Sequence, residues 1–288
     1  MWIPALALAV AAAASPSAPS PYPSVAETRA EFETVCRELT AGDNPYFGRA
    51  ILSRLRHRLE LVRASATPVP VETAIGIRGM LAEELLRVGD NEEAVRLLEE
   101  AFGIASENRA DRGVLGTLLY HLGIASMRLA EEINCVQMHG PASCILPIDS
   151  SAIHSKPEAI RKAGDYFLAA LEQNPEEIQA RWLLNLARAL SNDPLAKVPE
   201  RFRMPADAFV SPGAATRWKN RGPDLGLDRS DLAGGAIMDD FDGDGLLDLV
   251  TSSWDPCTSM KAYRNEGNGS FSDVTSAWGL DGQLGGLN

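Results

Sequence analysis

The sequence predicts a two-part chain, a helical array followed by a small antiparallel β unit. Three observations carry this. Apolar residues recur at helical spacing from residue 25 to about residue 203. From residue 234 onward the pattern changes to short runs rich in β-forming residues, separated by Gly, Asn and Asp. At that change stands Asp240-Phe241-Asp242-Gly243-Asp244-Gly245-Leu246-Leu247-Asp248, the most acidic stretch of the chain. At 288 residues two domains and a sizeable core are expected. With Lys+Arg 27 against Asp+Glu 39, the net charge of −12 disfavours a nucleic-acid partner, because phosphates would be repelled.

Residues 1–14 form an apolar run ending in four alanines, too short for a membrane span of ~20 residues and shaped like a signal peptide cleaved near Ala14. No Lys or Arg precedes the run, which a mis-assigned start or a truncated signal would explain. Residues 15–24 are Pro/Ser-rich and complete an N-terminal segment, 1–24, of signal and linker. The expected compartment is therefore periplasmic or extracellular.

Within residues 25–203, helices are expected over 25–39 and 46–64, broken by Gly42-Asp43-Asn44-Pro45. Arg54, Arg56, His57, Arg58 and Arg63 make the second basic, as a solvated face would be. Residues 73–105 form a helix pair around Gly89-Asp90-Asn91, with Ala82, Ala94 and Ala101 allowing close approach and Leu85 and Leu98 filling around them. Residues 114–132 are a further apolar helix, in which His121 beside Tyr120 is expected to be a satisfied core residue. Ala163, Phe167, Ala170 and Pro175 repeat the earlier pattern, and Arg181-Trp182-Leu183-Leu184-Asn185-Leu186-Ala187 opens another helix. These pairs resemble tetratricopeptide repeats, whose period is about 34 residues. Such a solenoid implies a protein partner docked along the helices.

Two arrangements are open for Cys135, His139, Cys144 and His154. Cys135 and Cys144 can close a short disulfide loop, or the two thiols and two imidazoles can hold Zn²⁺. The spacing is not one of the common zinc patterns, which puts the disulfide first. For Cys36 and Cys257 the sequence leaves pairing undecided.

Residues 204–233, with Pro205, Pro212, Gly213, Gly222 and Pro223, read as a linker in which Phe209 and Trp218 are pinned to a neighbouring surface. Strands are then expected over 236–239, 247–253, 260–264 and 270–275, with a tight turn at Asn265-Glu266-Gly267-Asn268-Gly269. Asn268-Gly269-Ser270 is formally a glycosylation sequon, but the turn explains it better.

The acidic stretch fits a hard cation. Each close pair of carboxylates costs ~1 kcal/mol even in water. Ca²⁺ accepts roughly 6–8 oxygen ligands and would neutralise them. Gly245 allows the positive φ that a sharply wrapped loop needs. An EF-hand is disfavoured, because its twelfth position falls on Thr251 and the flanks are β-forming. A calcium loop joining two strands is the expectation.

Together with Tyr263-Arg264-Asn265-Glu266-Gly267-Asn268-Gly269-Ser270-Phe271, this loop resembles the FG-GAP/VCBS repeat. The resemblance implies one blade of an integrin-α-type β-propeller over residues 234–288, with metal ligation by Asp240, Asp242, Asp244, the Leu246 backbone carbonyl and Asp248. Helical repeats, the Cys/His segment, Arg181-Trp182-Leu183-Leu184-Asn185-Leu186 and the β repeat together resemble bacterial relatives of cartilage acidic protein, of the ASPIC/UnbV type. One blade does not make a propeller of roughly 4–8. The chain is therefore expected to be an N-terminal fragment.

No His-Glu-x-x-His, Gly-x-Ser-x-Gly or phosphate loop is present. The first expectation is an exported, non-catalytic calcium-binding interaction protein. The alternative is an enzyme or redox protein, with its active site further C-terminal or at a metal on the Cys/His cluster. A carbohydrate-binding adhesin is a third.

Overall fold

The computed structural model describes residues 23–42, 44, 46–136, 143, 146, 148–193, 197–205, 208, 221–227, 229 and 231–284. It is helical first and β second. The helices are α1 (Val25–Ala41), α2 (Ala50–Ala64), α3 (Val71–Val88), α4 (Asn91–Glu107), α5 (Arg112–Glu131), α6 (Glu158–Gln173), α7 (Ile178–Leu190) and the single turn α8 (Gly222–Leu225). The expected signal peptide, Phe209 and Trp218 lie outside the described residues.

Local chemistry sets the helix ends. Ser24 caps α1 reciprocally with Glu27, whose carboxylate burial-free hydrogen bonds to the Ser24 backbone and side chain hold its pKa below the usual range. Asp111 caps α5 by accepting from the Gly113 and Val114 amides. Gly89, at φ 83°, ends α3 in the left-handed conformation. The α2 helix starts at Ala50 rather than Tyr46, because Gly48 turns to φ 79° and Arg87 holds the Tyr46 and Gly48 carbonyls.

From α2 to α7 each helix packs on the next in sequence, so the array is built from neighbour contacts. Two cores result. The first joins Leu55, Leu81, Leu85, Leu98 and Ala101 to Leu122 of α5. The second joins Met127 of α5 to Ile160, Phe167, Leu184 and Phe202. Helix α5 belongs to both cores. Its approach to α6 is so close that a Cβ on Gly123 would lie 2.4 Å from the Phe167 ring. The expected small residues Ala82, Ala94 and Ala101 are all buried.

Two buried asparagines fasten the non-helical returns. Asn134 bridges the Ala130 carbonyl and the Lys156 backbone. Asn185 does the same between the Arg181 carbonyl and the Phe202 and Met204 backbone. The basic face of α2 is exposed, as expected, and part of it also pairs across to the next helices. Arg56 pairs with Glu93, and Arg63 meets Glu100 of α4, which also binds Arg78. His121 is half-buried rather than in the core, its Nδ1 2.8 Å from the Thr117 carbonyl, to which it donates.

The β unit is one antiparallel sheet in the order β1 (Ala233–Asp239), β2 (Asp248–Ser253), β3 (Lys261–Asn265) and β4 (Phe271–Asp273). The expected strands match these within about three residues. Strand β1 begins earlier than expected because an irregularity between Ala233 and Ala236 lets Gly234 lie flat on the Ser252 backbone. The end of the expected linker is docked: Gly226 lies against the Phe271 carbonyl, and Asp231 accepts from the Ser253 hydroxyl at 2.7 Å.

Candidate metal centre

The loop between β1 and β2 carries the acids. Gly243 and Gly245, at φ 81° and 86°, turn the backbone through a conformation that other residues resist. Asp240 accepts from the Gly243 amide at 2.8 Å, the Asp244 amide at 3.1 Å and the Gly245 amide at 3.0 Å. Asp242 accepts from the Asp244 amide at 3.1 Å, and Asp244 from the Leu246 amide at 2.8 Å. These bonds wrap the loop around its own carboxylates. Asp240, Asp242 and Asp244 each bring a carboxylate oxygen within 4.8 Å of the other two, all three side chains being exposed.

Asp248 stands apart from that group. It is fully buried, and its two oxygens accept from the Phe241 amide at 3.1 Å and the Asn265 amide at 2.9 Å. The loop is thereby pinned to the end of β3. A carboxylate has about four lone-pair sites, so two backbone donors leave acceptor capacity. The second hairpin turn leans on the same end of the sheet. The Asn265 amide side chain donates to the Leu247 carbonyl at 3.1 Å, and Leu246 packs on Gly267. Arg264 is held by Glu266 at 2.8 Å, and this carboxylate, with Asp242 and Asp244 adding their charge, raises the guanidinium pKa further.

The donor set fits a hard divalent cation: oxygen only, negatively charged, and converging on a loop whose backbone is already folded around it. Residues 240–286 match the FG-GAP-like repeat. The match begins at the first aspartate of the loop and covers all three connections between the strands. No curated protein and no solved structure matches the chain. The repeat suggests an interaction or scaffold role. Among the described residues no helix is long and apolar enough to cross a membrane.

The Cys/His group is partly visible. Cys135 Sγ lies 3.5 Å from His154 Nε2, so two of the four expected residues meet. His154 is 4% exposed, its Nδ1 has no hydrogen-bond partner among the described residues, and its burial lowers its pKa. His139 and Cys144 lie outside the described residues, and with them the expected Cys135–Cys144 disulfide.

One feature had no signal in the sequence. Cys36 of α1 and Cys257, after β2, form a disulfide with Cα atoms 5.1 Å apart across 221 residues of chain. Beside it Phe47 and Tyr46 pack on Trp254, with ring centroids 5.1 and 5.8 Å apart. The helical array and the sheet are thus joined covalently.

Proposed function

We propose that the protein is an exported, non-catalytic interaction scaffold in which Ca²⁺ stiffens the β hairpin while the helices dock a protein partner. The observation that carries this is the convergence of Asp240, Asp242 and Asp244 within 4.8 Å inside the FG-GAP-like repeat. Bound there, Ca²⁺ would supply charge neutralisation and no chemistry of its own. Asp240, Asp242 and Asp244 would hold it, with the Leu246 carbonyl and Asp248 completing the set. Asp248 already couples the loop to β3, so fixing the loop also fixes the neighbouring turn.

Other features support parts of this proposal. Ile237 and Met238 on the edge strand β1 are exposed, as are Phe241 and Leu247 in the loop. An apolar open edge of this kind suits a sheet that packs beside others as a propeller blade. Neighbour-by-neighbour packing of α2 to α7 suits a tetratricopeptide-like solenoid, and so a relative of the ASPIC/UnbV-type proteins. The Cys36–Cys257 disulfide suits an oxidising compartment outside the cytoplasm.

Calorimetric titration with Ca²⁺ tests the site. The full chain is expected to bind one ion with release of heat or entropy that Asp242→Ala removes, the helical far-ultraviolet signal staying unchanged. Equal affinity in both would refute the ligand assignment.

A second proposal rests on the Cys135–His154 contact at 3.5 Å: a metal-dependent or redox protein using a thiol and imidazole site for Zn²⁺. Elemental analysis of the purified chain separates the two. Stoichiometric zinc or copper whose removal abolishes an activity favours the second; calcium alone favours the first.

A further inference from the structure

We propose that the Cys36–Cys257 disulfide is a redox latch, whose reduction by a dithiol releases helix α1 from the β sheet. Helix α1 runs for 17 residues, yet none of its side chains is fully buried. Val25, Phe32 and Val35 are exposed along it. An isolated helix of this length is marginal in water, and most helices are kept by the burial of an apolar face. This one has no such face against the rest of the described molecule.

Among the described residues little else holds it. The guanidinium of Arg29 donates to the Asp281 carbonyl and lies against Gly282. At the other end Gly48, at φ 79°, brings the chain back onto the Thr40 carbonyl. One exposed hydrogen bond is small against the conformational entropy of a helix. The disulfide is therefore the main tie between α1 and the sheet.

The bond is placed to be reached. Both cysteines are half-buried, and Cys257 lines an open cleft of about 510 Å³ with Thr40, Phe47, Arg49, Arg87 and Asp255. A thiolate of the dithiol attacks one sulfur and forms a mixed disulfide. Its second thiol then closes on the first, so the reductant leaves as its own disulfide and Cys36 and Cys257 leave as two thiols carrying two protons. Phe47 and Tyr46 pack on Trp254 through contacts separate from the bond, which places the hinge at the α1–α2 connection.

Hydrogen exchange of the full chain tests this, before and after treatment with dithiothreitol and in a Cys36→Ser variant that is never reduced. The variant separates this bond from any effect of reductant at Cys135. Amides of α1 are expected to exchange roughly tenfold faster or more in both, with α3 to α7 unchanged and protection regained on reoxidation of the natural chain. Unchanged exchange in α1 overturns the latch. So does a rise confined to the reduced chain and missing from the variant, or a general loosening that reaches α3 to α7.

Discussion

Asp248 shows how one side chain can be read in two ways. Its spacing marks it as a ligand, yet it is buried with both oxygens already accepting backbone amides from two segments. Asp248→Ala leaves the partly buried Phe241 and Asn265 amides without acceptors, and the loss is below the ~1–3 kcal/mol that a fully buried unsatisfied group costs. Both amides are expected to exchange faster in this variant even without calcium, whereas Asp242→Ala should leave them protected. Hydrogen exchange of the two variants checks the difference. Gly123 gives a prediction of opposite sign to its propensity. Gly→Ala in a helix ordinarily gains up to ~1 kcal/mol. Here the added Cβ would stand 2.4 Å from Phe167, and overpacking costs ~1–3 kcal/mol. Denaturant unfolding is expected to show Gly123→Ala destabilised; a stabilised variant would mean that Phe167 turns aside freely.

Among the elements, those fixed by local pattern were legible in the sequence. The α3–α4 pair and its Gly89 turn follow from spacing and from the need for positive φ, and the β3–β4 turn follows from its Gly and Asn residues. The start of α2 was not legible, since it depends on Arg87, far along the chain, gripping the Tyr46 and Gly48 carbonyls. The basic face of α2 likewise took its partners from α4. The Cys36–Cys257 bond joins positions 221 residues apart, a separation that carries no local signal. The acidic loop is the opposite case: residue type, spacing and glycines all lie within nine residues, and the fold brings three of the four aspartates together.

At the scale of the whole molecule, charge pairs between helices make stability depend on acid. Burial raises the Asp193 pKa, but hydrogen bonding to Lys197 and the charges of Arg188 and Arg161 outweigh it and hold the carboxyl below its ordinary value. Glu100 is likewise pushed up by burial and held lower by Arg63, Arg78 and Arg96. A depressed folded pKa contributes stability that is complete above the unfolded carboxyl values of about 3.9–4.3 and is lost as pH falls through the folded values. Thermal melts are expected to be flat from these groups near neutrality and to fall in acid; Asp193→Asn should flatten that fall. The sheet contributes less independent stability than the helices, with an open β1 edge and a four-stranded extent. Residues 235–288 alone are therefore expected to unfold without a sharp transition.

The proposed function depends most on the cation. The direct measurement is a crystal structure of the full chain grown in millimolar-range calcium. A single strong peak is expected among Asp240, Asp242 and Asp244, with oxygen contacts of about 2.3–2.6 Å. Carboxylates turned outward around ordinary water under those conditions would contradict it.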